Sequence, residues 1–370
     1  MAFASAVLLV CVLAPPVGRT PDTRPDPELL GLPPITTCQG SGANAALGSK
    51  LFRDARLSAD GRISCSSCHR PERAFTDGRH VPEGNDRQPG TRNSPTLINA
   101  VLLETFSWDG RRSSIEDQIG DAFFNVREHG LPSPEALLNI LEADPAYRSE
   151  FVEAFRGARH GQAVSLAHVK EAIACFIRSL AAGNSAFDRY MYGGEHKALT
   201  EAQKRGLQLF RGKAGCVECH PIGTASASFT DNRFHARPVS SLVMGRLASL
   251  SARVVGTPQD ELADLISSSA DVAALGRFVV TREPRDLAGF RTPSLRNIAV
   301  TGPYLHDGSE ETLAGIVERE AYYRQSSLGR PLNLTPSERD DVVAFLESLT
   351  SSRYVSSPGT ETSRSRSSSP

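Results

Sequence analysis

The chain predicts an all-α fold of two tandem helical domains with long loops, and three observations predict it. First, one pattern is written twice. Gly48-x-x-Leu51-Phe52-Arg53 returns as Gly206-x-x-Leu209-Phe210-Arg211, and Phe75-Thr76-Asp77 returns as Phe229-Thr230-Asp231. Pro95-Thr96-Leu97-x-Asn99 returns as Pro293-Ser294-Leu295-x-Asn297, and Trp108-Asp109-Gly110 returns as His306-Asp307-Gly308. Four blocks in one order mark two homologous units. Second, the apolar spacing is helical. Leu166, Val169, Ile173, Phe176, Ile177 and Leu180 recur every three or four residues, which lines one face of a helix. Third, no long apolar–polar alternation appears, so no extended sheet is expected.

Each element has a local reason. Thr200-x-x-Gln203 and Thr335-Pro336-x-Glu338 are capping boxes, the second with proline at the first helical position. They predict helices over about 201–211 and 336–349. The 370 residues suggest two domains, assigned to 40–195 and 196–350. Residues 1–18 include the apolar run 2–14, too short to span a bilayer comfortably. They are read as a secretory signal, with a membrane tether as the alternative. Residues 19–39 are proline-rich and read as a linker, and 351–370, rich in Ser and Arg, as a disordered tail.

Composition narrows the function. The net charge is −1, from 41 basic and 42 acidic residues, which gives no global electrostatic case for nucleic acid. Hydrophobic residues at 39% fit a globular protein with a sizeable core.

Each copy also carries Cys-x-x-Cys-His: Cys65, Cys68, His69 and Cys216, Cys219, His220. This is the c-type haem attachment signature. Two thiols join the haem vinyl groups, and the histidine is the proximal iron ligand. A zinc site would need a further pair of ligands at knuckle spacing, and none is present. The halves are therefore read as c-type cytochrome-like domains holding two covalent haems, which implies export. A sixth ligand would be Met or His. The methionines are only Met1, Met191 and Met244, so at least one open iron is expected. Trp108, the single tryptophan, stands where the second copy has His306. It reads as an electron relay or as a core aromatic. Glu128 reads as a general acid–base or as a solvated charge. Apart from Cys11, which lies in the apolar N-terminal run, Cys38 and Cys175 remain, either paired or as separate thiols.

These motifs, with Arg92-Asn93-Ser94-Pro95-Thr96 and Pro303-Tyr304-Leu305-His306-Asp307-Gly308, resemble the bacterial di-haem cytochrome c peroxidase family, over roughly 45–350. The likeness extends to its MauG-like branch. The resemblance implies a peroxidatic haem on His69 and an electron-transfer haem on His220. It implies catalytic roles for Glu128, Gln118 and Trp108, with Asn125 kept beside them. It implies one Ca²⁺ held by the Asn93 side chain and the carbonyls of Thr301 and Pro303, oxygen donors that suit this hard cation.

Two departures point to the MauG-like branch. Asn85 stands where reductively activated peroxidases carry a distal histidine, and His80 is five residues away. Glu320 stands at the family's methionine position, with Tyr322 and Tyr323 beyond. The resemblance offers Tyr322, or else Tyr323, as sixth ligand of the second haem. Three functions follow as expectations. The first is a periplasmic peroxidase that reduces hydrogen peroxide with electrons from a small c-type cytochrome or cupredoxin. The second is an enzyme that oxidises residues of a partner protein, and the third a non-catalytic electron carrier. The resemblance also leaves room for a homodimer.

Overall fold

The computed structural model describes residues 26–36, 38, 42–156, 163–237, 240–328 and 332–354. The assigned signal at 1–18 and all of the tail beyond residue 354 lie outside the described residues. The fold is helix-rich, and the two copies form two separately cored halves.

In the first half the Gly42–Arg53 helix crosses Leu166–Arg178. In the second, Glu201–Arg211 crosses Pro336–Glu347. The repeated glycine explains both crossings. A Cβ on Gly48 would sit 1.8 Å from the Ala172 carbonyl oxygen, and one on Gly206 would sit 1.9 Å from that of Asp341. Only glycine lets the two backbones approach this closely. The repeated phenylalanines fill the space beside each crossing. Phe52, Phe75 and Phe176 have ring centroids 5.0–6.3 Å apart. Phe210, Phe229 and Phe345 repeat the arrangement at 5.0–6.4 Å.

The repeated asparagine closes each half. Asn99 and Asn297 both sit at φ 62°, in the left-handed region. The Asn99 side chain accepts from Ala182 N at 2.8 Å and donates to Ala182 O at 2.9 Å. Asn297 Oδ1 accepts from Ser351 N at 2.9 Å. Each asparagine thus pins the segment just after the second helix of its crossing pair, Leu166–Arg178 or Pro336–Glu347. Ser351 is buried and bridged to Ser185, so the first residues read as tail belong to the fold.

Two features were not foreseen. The extra length of the second copy is a helical unit over 240–288 with its own apolar cluster around Val254, Leu262, Val272 and Leu275. Two short antiparallel strands, Phe234–Ala236 and Gly289–Arg291, close its base. The other is the segment read as a linker. Its residues 28–31 lie against both halves. Glu28 O and Leu30 O accept from Gly183 N and Asn184 N, and Gly31 O accepts from Ala227 N at 3.0 Å. Cys38 forms a disulfide with Cys175, inside the buried Leu166–Arg178 helix.

Gly206→Ala forces the new methyl into the Asp341 carbonyl. We expect a loss of roughly 1–3 kcal/mol, the usual range for overpacking, read as a lowered midpoint in thermal unfolding. An exposed-site control, Gly61→Ala, lacks the steric clash, because nothing lies within 4 Å of a Cβ there; its cost is confined to the positive φ of 67°.

Candidate functional site

The two Cys-x-x-Cys-His motifs are held alike. Each lies on a single helical turn, Cys65–Cys68 and Cys216–Glu218. His69 Nδ1 lies 3.1 Å from Phe75 O, and His220 Nδ1 lies 2.8 Å from Phe229 O. A ring N–H given to a carbonyl fixes the tautomer and directs Nε2 toward an iron. Phe75 and Phe229 adopt φ of 59° and 54°, a strained region for a bulky residue. That turn points the carbonyl back at the histidine, which explains the repeated Phe-Thr-Asp. Burial holds the His69 imidazole below its ordinary range, so the ring is neutral and ligand-competent. Burial likewise pushes the Cys65 and Cys68 thiols to about 12. Neutral imidazole and half-buried thiols fit covalent haem attachment.

The halves differ beyond these shared parts. The Ile115–Phe124 helix opens on its Ser114 cap and carries Gln118. Gln118 Oε1 accepts from Ser107 Oγ at 2.5 Å. The turn after this helix bears Asn125 and Glu128, and Glu128 N donates to Asn125 O at 3.0 Å. Burial pushes the Glu128 carboxyl above the ordinary carboxylate range; Arg111 opposes this and Asp121 reinforces it. Its charge is felt by both Cys65 and Cys68, so carboxyl and attachment cysteines share one environment.

Sequence reasoning missed the charge network behind Glu128. Asp109 is fully buried between Arg92 Nη1 at 2.5 Å and Arg111 Nη1 at 3.2 Å. Arg111 Nε reaches Asp121 at 3.3 Å, and Arg112 closes the chain at 2.5 Å. Burial alone would raise the Asp109 carboxyl, but Arg92 and Arg111 outweigh it and hold it at about 2. Trp108-Asp109-Gly110-Arg111 carried the signal: a charged pair beside a tryptophan. The reading also missed His129, which is buried with Nδ1 2.7 Å from Leu57 O and Nε2 3.8 Å from Cys65 Sγ.

Trp108 lies at the seam between halves. Its Nε1 donates to Asn93 O at 2.9 Å. Asn93 N donates to His306 O at 2.8 Å, and Arg291 N donates to Trp108 O at 2.9 Å. The repeat aligns Asn93 with Arg291 and Trp108 with His306, so the two bonds are the same contact made in both directions. The 240–288 unit grips this seam. Arg92 Nη2 donates to Ala273 O at 2.8 Å, and Arg277 Nη1 to Asp109 O and Gly110 O at 2.9 and 2.7 Å.

The remaining candidates fall as follows. Asn93 Nδ2 donates to Arg79 O at 2.9 Å and His80 O at 3.3 Å. Its link to His306 brings it beside the 301–308 loop that carries Thr301 and Pro303. Asn85 N donates to Glu128 O at 3.0 Å, so the loop of the expected distal position borders the Glu128 turn. His80 is exposed, and its Nε2 lies 3.2 Å from Glu311 in the other half. On the Leu313–Leu328 helix, Leu313 and Val317 pack in one cluster with Cys216 and Val217. Glu320 continues that face at helical spacing and is paired with Arg237. Tyr322 is turned off it and 69% exposed. Tyr322 and Tyr323 line a cavity of about 600 Å³ whose wall includes none of Cys216, Cys219 and His220.

Comparisons with known proteins bear on this arrangement. Residues 42–196 match the family model described as di-haem cytochrome c peroxidase. The chain is 33% identical to a cytochrome-c peroxidase, IdrP1, of Pseudomonas sp. (strain SCT), across 88% of this chain and 86% of that protein. It is 31% identical to the methylamine utilization protein MauG of Methylorubrum extorquens, across 90% and 82%. Among solved structures, a MauG-like protein associated with microbial copper homeostasis superposes with a TM-score of 0.72 at 30% identity, covering 89% of this chain and 96% of that one.

The Glu128 environment makes a titration testable. Arg111→Gln removes the cation that opposes its raised pKa, so the midpoint moves further up. The measurement is the carboxyl band in infrared difference spectra against pH, assigned by its loss in Glu128→Gln. An unmoved midpoint would mean that Arg111 does not act on Glu128.

Proposed function

The chain belongs to the di-haem cytochrome c peroxidase family, and from that premise we propose that it reduces hydrogen peroxide in the periplasm with electrons from a small c-type cytochrome or cupredoxin. As a member it is an oxidoreductase of the cytochrome c peroxidase type. The observation that carries the reading is the asymmetry of the halves. Both have the motif cysteines and an oriented histidine, but among the described residues only the first adds a half-buried carboxyl with a raised pKa, Glu128, sharing the environment of those cysteines.

Cys65, Cys68 and His69 would hold one covalent haem c, and Cys216, Cys219 and His220 the other. When bound, these groups supply the iron at which peroxide is cleaved and a store for electrons. The rest of the chemistry belongs to the chain. Reduction of peroxide to two waters consumes two electrons and two protons. The Glu128 carboxylate takes the proton from the near oxygen of peroxide and returns it to the leaving oxygen. Gln118 orients the peroxide once its hold on Ser107 is relaxed. Trp108, fixed by Asn93 O at the seam, passes electrons between the halves. Asn93 uses its amide nitrogen on Arg79 O and His80 O, so its Oδ1 is the atom that would face a cation. With the carbonyls of Thr301 and Pro303 it forms an oxygen donor set for one Ca²⁺.

A MauG-like role, oxidising residues of a partner protein, is the second reading. It is supported by the absence of a histidine at position 85 and by the tie of His80 to Glu311.

Two outcomes test the proposal. After acid–acetone extraction the colour remains with the polypeptide, at two haems per chain by pyridine haemochrome assay; colour in the solvent would remove the basis of the reading. Glu128→Gln keeps both haems and lowers peroxide turnover by roughly 10²–10⁴-fold, the usual worth of one acid–base group. Turnover within about threefold of the parent moves that role to another residue.

A further inference from the structure

Three arginines are buried among the described residues: Arg92, Arg291 and Arg296. Arg92 is paired with the buried Asp109, and Arg296 with the buried Asp188 in a two-pronged bridge at 2.9 Å. Arg291 breaks the pattern. It is 5% exposed, and no acidic side chain of the described residues pairs with it. Its side chain makes one long hydrogen bond, from Nη1 to Thr292 O at 3.4 Å, and its Nε is buried with no acceptor. An always-charged group of this kind is kept in an interior only when an anion faces it. Burial also lowers its pKa to about 10, with no opposing acidic partner.

The place of Arg291 identifies the anion. Thr292, next in the chain, accepts from Thr230 Oγ1 at 2.7 Å. Thr230 follows Phe229, whose carbonyl orients His220. Asp231, the next residue, donates its N–H to Cys219 O at 3.0 Å. Arg291 therefore belongs to the loops around the second Cys-x-x-Cys-His. Its own backbone N–H is spent on Trp108 O, leaving the guanidinium as the unsatisfied part.

We propose that Arg291 is a carboxylate-binding site for a propionate of the haem held by His220. This rests on the di-haem reading above. The planar fork of arginine matches a carboxylate with two parallel hydrogen bonds. The same cation would favour the reduced state of that haem, because reduction removes one positive charge beside a positive side chain.

The experiment compares the holoprotein with Arg291→Gln and Arg291→Lys by spectroelectrochemical titration, haem by haem. In Arg291→Gln the potential of the His220 haem is expected to fall while that of the His69 haem holds. Arg291→Lys keeps the charge and is expected to stay near the parent potential. It should still shift the propionate bending band in resonance Raman, since a point charge replaces the fork. The lysine variant therefore serves as the test if the glutamine variant does not fold. Unchanged potentials in Arg291→Gln, a shift confined to the His69 haem, or an unmoved propionate band in Arg291→Lys overturns the site. Failure of the di-haem reading would be seen earlier and separately, as a parent protein without two covalent haems.

Discussion

The two halves hold each other through one contact made twice, Asn93 N to His306 O and Arg291 N to Trp108 O, and the rest of the site is arranged about it. A sequence repeated within one chain can meet itself with equivalent residues facing, as subunits do in a symmetric dimer. The backbone bonds tolerate any side chain, so the side chains at these four positions have been able to diverge. One half presents Trp108 and Asn93; the other presents His306 and Arg291. His306 stacks on Phe290 at 3.8 Å, and burial brings it down to about 4, so it is neutral. An indole and a neutral imidazole thus occupy equivalent places with different chemistry. The seam is symmetric in its backbone and asymmetric in its side chains.

Around the seam the structure spends conformational strain and buried charge. Phe75 and Phe229 accept a left-handed backbone, so that each motif histidine is oriented by a carbonyl rather than by a carboxylate. A carbonyl fixes the ring without adding negative charge. The charge is kept further back. Asp109 is ionised between Arg92 and Arg111, while Glu128, which feels Arg111 and Asp121, is pushed toward protonation. Environments that drive neighbouring carboxyls apart in pKa are how acid–base roles are divided.

Much of this was legible because the chain repeats. Comparing Gly48 with Gly206, or Asn99 with Asn297, marks residues that the backbone requires before any contact is known. The capping boxes at Thr200 and Thr335 also start helices where read, since a cap is a local device. The two Cys-x-x-Cys-His motifs stand out in the sequence by their chemistry alone. What could not be read is what one copy has and the other lacks. The 240–288 unit has ordinary helical spacing, and nothing in it announces that it docks onto Arg92 and Asp109. The proline-rich segment reads as a linker because proline marks extended backbone, and extended backbone serves equally for a strap. Tyr322 was drawn from its neighbourhood in sequence. Helix phase, which needs the contacts of Leu313 and Val317, puts Glu320 on that face instead. Cys38 and Cys175 are 137 residues apart, and only the fold brings them together.

The strap has a consequence for the order in which the protein is made. Gly31 O accepts from Ala227 N and from Arg296 Nη2, the latter at 2.6 Å, while Arg296 also grips Asp188. Gly31 is therefore secured in part by a residue synthesised 265 positions later. During synthesis the Glu28 and Leu30 carbonyls can close on Gly183 and Asn184 once the first half has emerged, yet the bonds of Gly31 must wait for the second half. Contacts this distant in sequence form late, because the loop they close is long. A nascent chain halted before residue 227 would hold the strap by its first-half bonds alone. Full closure of that segment therefore requires both halves.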